Sequence, residues 1–426
     1  MKSDHIIQII NEDLCVGCGT CVSICPNEAL DIIIDKNKGI YIPKFNEKIC
    51  NNCKTCLKVC PMYRFNLDSR NIPKDKKAEN YLLGHFFNCY IGYATDVDIR
   101  YNSSSGGLIT QLLIFALENK IIDGAIVTKM KKDNPLEPET FIARTKKDII
   151  ESSKSKYCPV PLNIVLREII NSKEDEKFAI VGLPCHINGI INAEKINKKL
   201  KDKIIIKFGI FCNHTPNFLA TELYLEKKGI KKEKINKLEY RGDGWPGYMN
   251  IHLKDKSKIN VPLPEYWHFI GSKIFYSKFC FMCQDATSES ADISFGDAWL
   301  PEFMDDHIGT SIMISRTETG EKLLKMNKLE NKIKLNKVNN NEVIKSQLEM
   351  LYVHKILNFR TKELLKHYNL FESNYLDFII ASLSFFNNYI FQFSFSMKVL
   401  KYMPFQIIWF YNTFFNTIYS IRARRN

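Results

Sequence analysis

The chain has 426 residues, 45% of them hydrophobic, with 60 lysines and arginines against 47 acidic residues for a formal net charge of +13. That length suggests two or three domains with a real core, and the composition is that of an ordinary globular protein. The basic residues are dispersed, as in KKDNP and IKKEKINK, with no RNA-binding signature beside them. No nucleic acid is therefore expected, and the charge suits an anionic cofactor or an acidic protein partner.

Fourteen cysteines follow a start, MKSDHIIQIINEDLC, that is too short and too polar for a signal peptide. This argues for thiolate ligands in the cytoplasm rather than secreted disulfides. In chain order, residues 1–66 are cysteine-rich with short elements, and a linker over 67–88 follows, opened by a polar stretch (NLDSRNIPKDKKAEN) that ends at Asn80. From Cys89 to Asn336 short apolar runs alternate with amphipathic stretches, the pattern of an α/β body. Residues 337–426 read as helical and become rich in Phe, Tyr and Ile after Leu370. The expected fold class is an α+β ferredoxin-like head, an α/β body and a helical, aromatic-rich tail.

The head carries the strongest signal. CVGCGTCVSICP places Cys15, Cys18, Cys21 and Cys25 at C-x2-C-x2-C-x3-C-P spacing, and CNNCKTCLKVCP repeats it with Cys50, Cys53, Cys56 and Cys60. Three thiolates this close cap three corners of one cubane; the fourth, a helical turn on, faces away and ligates the other cluster. The expected sets are Cys15, Cys18 and Cys21 with Cys60, and Cys50, Cys53 and Cys56 with Cys25. Two structural zinc sites are the alternative, but zinc does not call for a cross-shared fourth thiolate. A head of two [4Fe-4S] clusters carries single electrons and performs no substrate chemistry, so something must stand at the other end of the wire.

In the body, RYNSSSGGLITQLLIFALENKIIDGAIV places Leu108, Leu112, Phe115 and Ala116 at helical spacing, with a strand after them. SSSGG then sits at a helix N-terminus. It is either a phosphate cradle or a plain serine cap with glycines for a tight entry. No G-x-G-x-x-G or Walker A sequence is present, so a standard dinucleotide or P-loop site is not supported.

FAIVGLPCHINGI reads as a buried strand (178–181), a glycine, and Pro184 at a first helical position, with Cys185 on the strand's exit. IIIKFGIFCNH repeats the design with a strand over 204–211, then Cys212 and His214. If the segment between is a crossover helix, the strands are parallel and both cysteines emerge at one carboxyl edge. Two buried free thiols are the plainer alternative. His186 and His214 read as hydrogen-bonded loop residues, and Cys89 and Cys158 as packing residues. RGDGWPGYM, with Arg241 and Trp245, suits a cofactor lid or an ordinary hairpin turn. Cys280 and Cys283 form one more C-x-x-C pair, which alone is half a site of some kind.

SSSGGLITQLL, KYCPVPLNIVLRE, VGLPCHI, FGIFC, RGDGWPGYM and CFMCQDATSESADISFGDAW, in this order, resemble the coenzyme F420 hydrogenase/dehydrogenase beta-subunit family over about residues 85–335. The resemblance implies two α/β segments (89–160 and 161–336), FAD, a further [4Fe-4S] cluster in the body, and hydride exchange with F420 or another organic substrate. With it, FAD is expected to rest its pyrophosphate near Ser103, Ser104, Ser105, Gly106 and Gly107, with Lys156 adding charge and Arg241 and Trp245 nearby. Cys185, Cys212, Cys280 and Cys283 then make one complete set. Zinc rivals iron there on ligands alone; the fused head's need for a relay and the resemblance favour iron. Asp285, Glu289 and Asp297 read as turn and loop residues. The rival function is a non-catalytic electron-transfer subunit docking onto a partner enzyme. A redox partner protein or a small hydride carrier is expected in either case, and a homo-oligomer is left open. The tail's apolar runs are interrupted by Asn, Gln, Lys and Pro, which fits peripheral membrane contact, or packing on the body, better than a span.

Overall fold

The computed structural model describes residues 6–63 and 81–357. Most of the expected linker and the whole tail from 358 on lie outside them. In the head, each cysteine triplet sits on a loop that runs into a short helix, Thr20–Ile24 or Thr55–Val59. Between them β1 (Leu30–Asp35) and β2 (Ile40–Phe45) form an antiparallel hairpin. Gly19 enters the first helix with φ 85°, and a Cβ there would lie 2.6 Å from Ile164 of the body, so glycine is required by both backbone and contact.

The body is built on one eight-stranded sheet. In chain order its strands are β3 (Asn88–Ala94), β4 (Gly124–Met130), β5 (Pro138–Ala143), β6 (Phe178–Gly182) and β7 (Ile204–Ile210). After a separate antiparallel sheet of β8 (Ile235–Glu239), β9 (Tyr248–Leu253) and β10 (Lys258–Pro262) come β11 (Ile293–Asp297), β12 (Ser311–Ser315) and β13 (Ile333–Val338). The order is β13-β3-β12-β11-β7-β6-β4-β5. Parallel pairing joins β4, β6, β7 and β11 in the centre, and antiparallel strands cover both margins. Strands from both sides of position 160 thus share one sheet. The central runs are buried on both faces, as their continuous apolar sequences demand.

The helix Leu108–Glu118 is a core helix, with eight of its residues buried. Leu112 and Phe115 pack with Ala125, Phe208 and Phe295 from three strands. The helices Pro184–Glu194 and Lys198–Lys203 cross from β6 to its parallel neighbour β7, as the amphipathic segment led us to expect. A further apolar cluster joins head to body: Ile6, Leu57 and Val59 pack with Leu162, Ile187 and Ile190. Each such buried side chain contributes about 1.5–3 kcal/mol, so the head is held by a core rather than a tether.

Candidate iron–sulfur and cofactor centre

Two cavities in the head are lined by cysteines from both quartets. One is bounded by Cys15, Cys18, Cys21 and Cys60, and the other by Cys25, Cys50, Cys53 and Cys56. The C-x2-C-x2-C loops supply three thiols to their own cavity, and each helix carries its fourth to the other. Burial raises Cys15 to about 12 and lifts Cys21 well above the ordinary thiol value, with the other thiols of the set adding to the effect at Cys21.

A third cysteine-lined cavity, of about 60 Å³, lies in the body. Gly182 ends β6, and Pro184 opens the next helix with Cys185 at its second position. β7 ends at Ile210, and Cys212 follows, its N–H donating to the Ala286 carbonyl at 2.9 Å. Because the strands are parallel, both thiols leave the same sheet edge. Cys280 and Cys283 come from the turn around Lys278–Phe281 that precedes β11. All four line this one cavity.

Burial raises all four thiols, and Cys185 is pushed further by Cys212, Cys18, Cys283 and Cys280. Cys18 belongs to the first head cavity, so that cavity abuts the body quartet. Val16 and Ile40 of the head also line the quartet's cavity. Four thiolates in so dry a space need a cationic centre to offset their repulsion. Among the described residues, no three His, Cys, Asp or Glu groups gather as closely as one metal ion needs.

Rings crowd beside the quartet. His354 sets its two ring nitrogens 2.9 Å from the carbonyls of Cys283 and Asn213, and burial lowers its pKa to about 4. It stacks on His214, which stacks on Tyr276 with centroids 4.5 Å apart. His354 lies beyond the expected body and was not legible as a neighbour of the quartet.

A cavity of about 220 Å³ opens at the sheet's carboxyl edge beside the quartet. Gly182 of β6, Ile210 of β7 and Asp297 of β11 reach it from strand ends, and Ser103, Ser104, Ser105 and Gly107 from the loop before the core helix. Gly107 is that helix's N-cap, at φ 74° and with no side-chain cap bond. The serines are engaged elsewhere. Ser103 Oγ donates to the Ile99 carbonyl at 2.7 Å, Ser105 Oγ donates to Thr310 at 2.9 Å, and Ser104 Oγ accepts from the Ser155 N–H at 2.7 Å. The first-turn N–H groups are thus left uncapped by side chains, which removes the plain serine-cap alternative.

Val160, Leu183 and His186 line both this cavity and that of the quartet. His186 stands in the first turn of Pro184–Glu194 rather than in a loop. Its Nδ1 faces the Leu183 N–H at 3.2 Å and its Nε2 the Val160 carbonyl at 3.0 Å. Since an N–H only donates and a carbonyl only accepts, Nε2 carries the proton. Burial lowers its pKa to about 4, so the ring is neutral.

Several expected site residues take other roles. Gly106 does not line the cavity; a Cβ there would strike the Gly92 carbonyl at 2.6 Å and the Ser311 N–H at 2.8 Å, so its glycine serves chain packing. Arg241 and Trp245 do not line it either. Arg241 is buried behind the wall, with Nη1 donating to Tyr157 at 3.1 Å and Asp297 at 3.2 Å, and Nη2 to the Ser104 carbonyl. Trp245 packs on Trp299, centroids 4.7 Å apart, in the turn between β8 and β9.

Lys156 does line the cavity, but its Nζ is spent on the carbonyls of Ser152, Ser153 and Lys154. Burial lowers it to about 7. It holds the loop end rather than offering a free charge. His214 lacks a hydrogen-bond partner at Nδ1 and is placed by stacking. Cys158, read as packing, is buried and lines the large cavity, whereas Cys89 packs inside β3. Glu289 stands in a turn and forms a buried ion pair with Lys355.

Parallel strands feeding cysteines and a cofactor-sized opening to one edge define an iron–sulfur α/β redox protein. Residues 89–167 match the N-terminal part, and 175–341 the C terminus, of the coenzyme F420 hydrogenase/dehydrogenase beta subunit, and 14–89 match a 4Fe-4S dicluster domain. The chain belongs to this coenzyme F420 hydrogenase/dehydrogenase beta-subunit family.

Among its relatives is the coenzyme F420 hydrogenase subunit beta of Methanothermobacter thermautotrophicus, 27% identical over 57% of this chain and 82% of that protein. A subunit of the F(420)H(2) dehydrogenase of Methanosarcina mazei is 26% identical over 75% of this chain and 84% of its own length. The coenzyme F420-dependent sulfite reductase of Methanocaldococcus jannaschii is 26% identical over 74% of this chain, which spans only 46% of it. A chain of the F420-reducing [NiFe] hydrogenase complex from Methanosarcina barkeri shares the fold, with a TM-score of 0.53 and 22% identity over 67% of this chain and 96% of that one. Among the described residues no helix is long and apolar enough to cross a membrane.

Proposed function

We propose that this chain is an iron–sulfur flavoprotein oxidoreductase that passes electrons between [4Fe-4S] clusters and FAD, and on to or from coenzyme F420 or another organic substrate. The observation that carries this reading is the wall of Val160, Leu183 and His186 shared by the quartet's cavity and the large one. Two head cavities, the body quartet and the large cavity form a series in which the neighbours described above touch.

Cys15, Cys18, Cys21 and Cys60 would hold one cubane, Cys25, Cys50, Cys53 and Cys56 a second, and Cys185, Cys212, Cys280 and Cys283 a third. A zinc ion holds its thiolates about 2.3 Å from one centre. The relay that the fused head requires toward the flavin favours a cubane here. FAD, when bound, supplies the conversion between two-electron hydride and one-electron transfer. The chain's part is to receive an anionic group at the uncapped helix end beside Gly107 and to exclude water with Val127, Val181 and Phe295. His186 keeps the partition between the two cavities neutral.

Anaerobic purification followed by cofactor extraction tests this. FAD, about twelve irons per chain from three cubanes, and F420-dependent reduction or oxidation of a viologen dye are expected. About eight irons with one zinc would remove the third cluster. Iron without flavin would favour the second reading, a non-catalytic electron-transfer subunit, which the relatives' names as hydrogenase and dehydrogenase subunits support.

A further inference from the structure

The geometry points to a docking face for a small acidic one-electron carrier protein on the head, formed by Lys48, Lys54 and Lys58 around the cavity of Cys25, Cys50, Cys53 and Cys56. This rests on the proposal that those four thiols hold a cluster, and it adds where electrons enter or leave the chain.

Of the fourteen cysteines only Cys53 is exposed. Its cavity is therefore the solvent-facing end of the series whose other end is the large cavity in the body. An electron exchanged between proteins crosses most readily where a centre lies nearest the surface, so this is the end a carrier must reach.

The surface there is built rather than loose. Asn27 Nδ2 donates to the Ile49 carbonyl at 3.1 Å and Asn51 Nδ2 to Asn27 Oδ1 at 3.4 Å, tying the two cysteine loops across the rim. Asn46 accepts the Lys48 N–H at 3.1 Å and so fixes the turn Glu47–Ile49 just ahead of Cys50.

Cations outnumber carboxylates along the rim formed by residues 47–58. Lys48, Lys54 and Lys58 are all exposed, and Lys54 lines the cavity itself. Over residues 47–58 the one carboxylate is Glu47. Glu28 pairs with Arg167 at 2.9 Å while staying largely exposed, and exposed Asp31 follows the lining residue Leu30, so the excess of cations is on the side of residues 47–58. Ile49, 45% exposed and next to Lys48 in the chain, adds a small apolar spot to this basic stretch. An apolar spot beside cations complements an acidic protein, and such charge steers encounter and adds salt-sensitive affinity. One isoleucine among asparagines is too little apolar surface to enter a lipid bilayer.

The test is binding, measured on the full holo chain. A strongly acidic two-cluster ferredoxin and the basic protein cytochrome c are titrated by calorimetry at low salt against wild type and Lys48→Glu/Lys58→Glu. Iron content and head EPR are checked in both. The reversal should weaken ferredoxin binding by about tenfold or more and strengthen cytochrome c binding, and 0.5 M salt should erase both differences. A misfolded variant cannot produce opposite shifts with two carriers. Full clusters with unchanged ferredoxin affinity, or equal loss for both carriers, overturns the face and leaves the relay standing. Binding of anionic vesicles through these lysines without ferredoxin binding overturns it too. Failure of the head to take up iron fells the relay, and this face with it.

Discussion

Glu239, the last residue of β8, sits between two cations: Lys237 Nζ at 2.9 Å and Lys154 Nζ at 3.0 Å. Burial pushes its carboxyl up, but Lys237 and Lys154 outweigh that and bring it to about 2, from an ordinary 4.5. The folded value lies below the unfolded one, so the stabilisation is present above pH 4.5 and is lost as pH falls toward 2. Lys154 lines the large cavity, and acid should loosen that wall. Between pH 7 and 3, urea unfolding of wild type should show a loss of a few kcal/mol that Glu239→Gln does not repeat, because the variant lacks it from the start. Identical pH profiles would sink the idea. A second change tests the body quartet. Cys283→Ser should lower iron from about twelve to about eight per chain while the EPR of the head persists. If iron falls to zero, Cys283 matters to folding and not to one cluster.

The elements were legible where sequence alone dictates them. FAIVG and IIIKFGI had to be buried parallel strands once a helix lay between them, and that placed Cys185 and Cys212 on one edge. The head quartets were legible because their spacing is set by the chemistry of a cubane corner. What was not legible is direction. RGDGWPGYM reads as a turn, but nothing in a run of Gly and Pro says that Arg241 points inward to brace Ser104, or that Trp245 turns away onto Trp299. Gly106 and Gly107 look alike in sequence; only the approach of Gly92 and Ser311 separates the packing glycine from the one at the cavity. Gly107 yields a prediction that a pair of variants tests. Gly107→Ala and Gly107→Asp both put a Cβ at φ 74°, 3.1 Å from Arg100 Cα and 3.2 Å from the Ile99 carbonyl, so both should lower the melting temperature alike. Only the carboxylate of Gly107→Asp should abolish flavin binding, by occupying the anion's place. Full flavin content in that variant would move the pyrophosphate elsewhere.

At the scale of the whole molecule, function depends on how the head is seated, and one residue joins the parts. Asn163 is fully buried between them. Its N–H donates to the Cys18 carbonyl at 2.9 Å, and its carbonyl accepts from Ser23 Oγ at 2.5 Å. Its Nδ2 donates to Thr20 Oγ1 at 2.8 Å and to the His186 carbonyl at 3.0 Å. One side chain thus spans the loop of the first head cavity and the helix that carries Cys185. Arg167 adds a clamp on the head helix Thr20–Ile24, donating to the Val22 carbonyl at 2.9 Å and the Cys25 carbonyl at 3.0 Å. Asn163→Ala removes the Nδ2 bonds but leaves every cysteine and the apolar contact of head and body in place. Leaving Thr20 and the His186 carbonyl without that partner should lower stability by about 1–3 kcal/mol. The more telling readout is kinetic, since tunnelling between centres falls steeply with separation and a loosened seat lengthens it on average. Iron and flavin contents should stay at wild-type levels while the rate at which head-delivered electrons reach the flavin drops severalfold in stopped flow. Replacing Arg167 with Lys, which keeps the charge and loses the fork, should give a smaller drop in the same direction. If Asn163→Ala transfers electrons at the wild-type rate, the first head cavity is not the route into the body. If it loses four irons, Asn163 shapes a cluster site, and its part in joining head to body is no longer what the measurement reports.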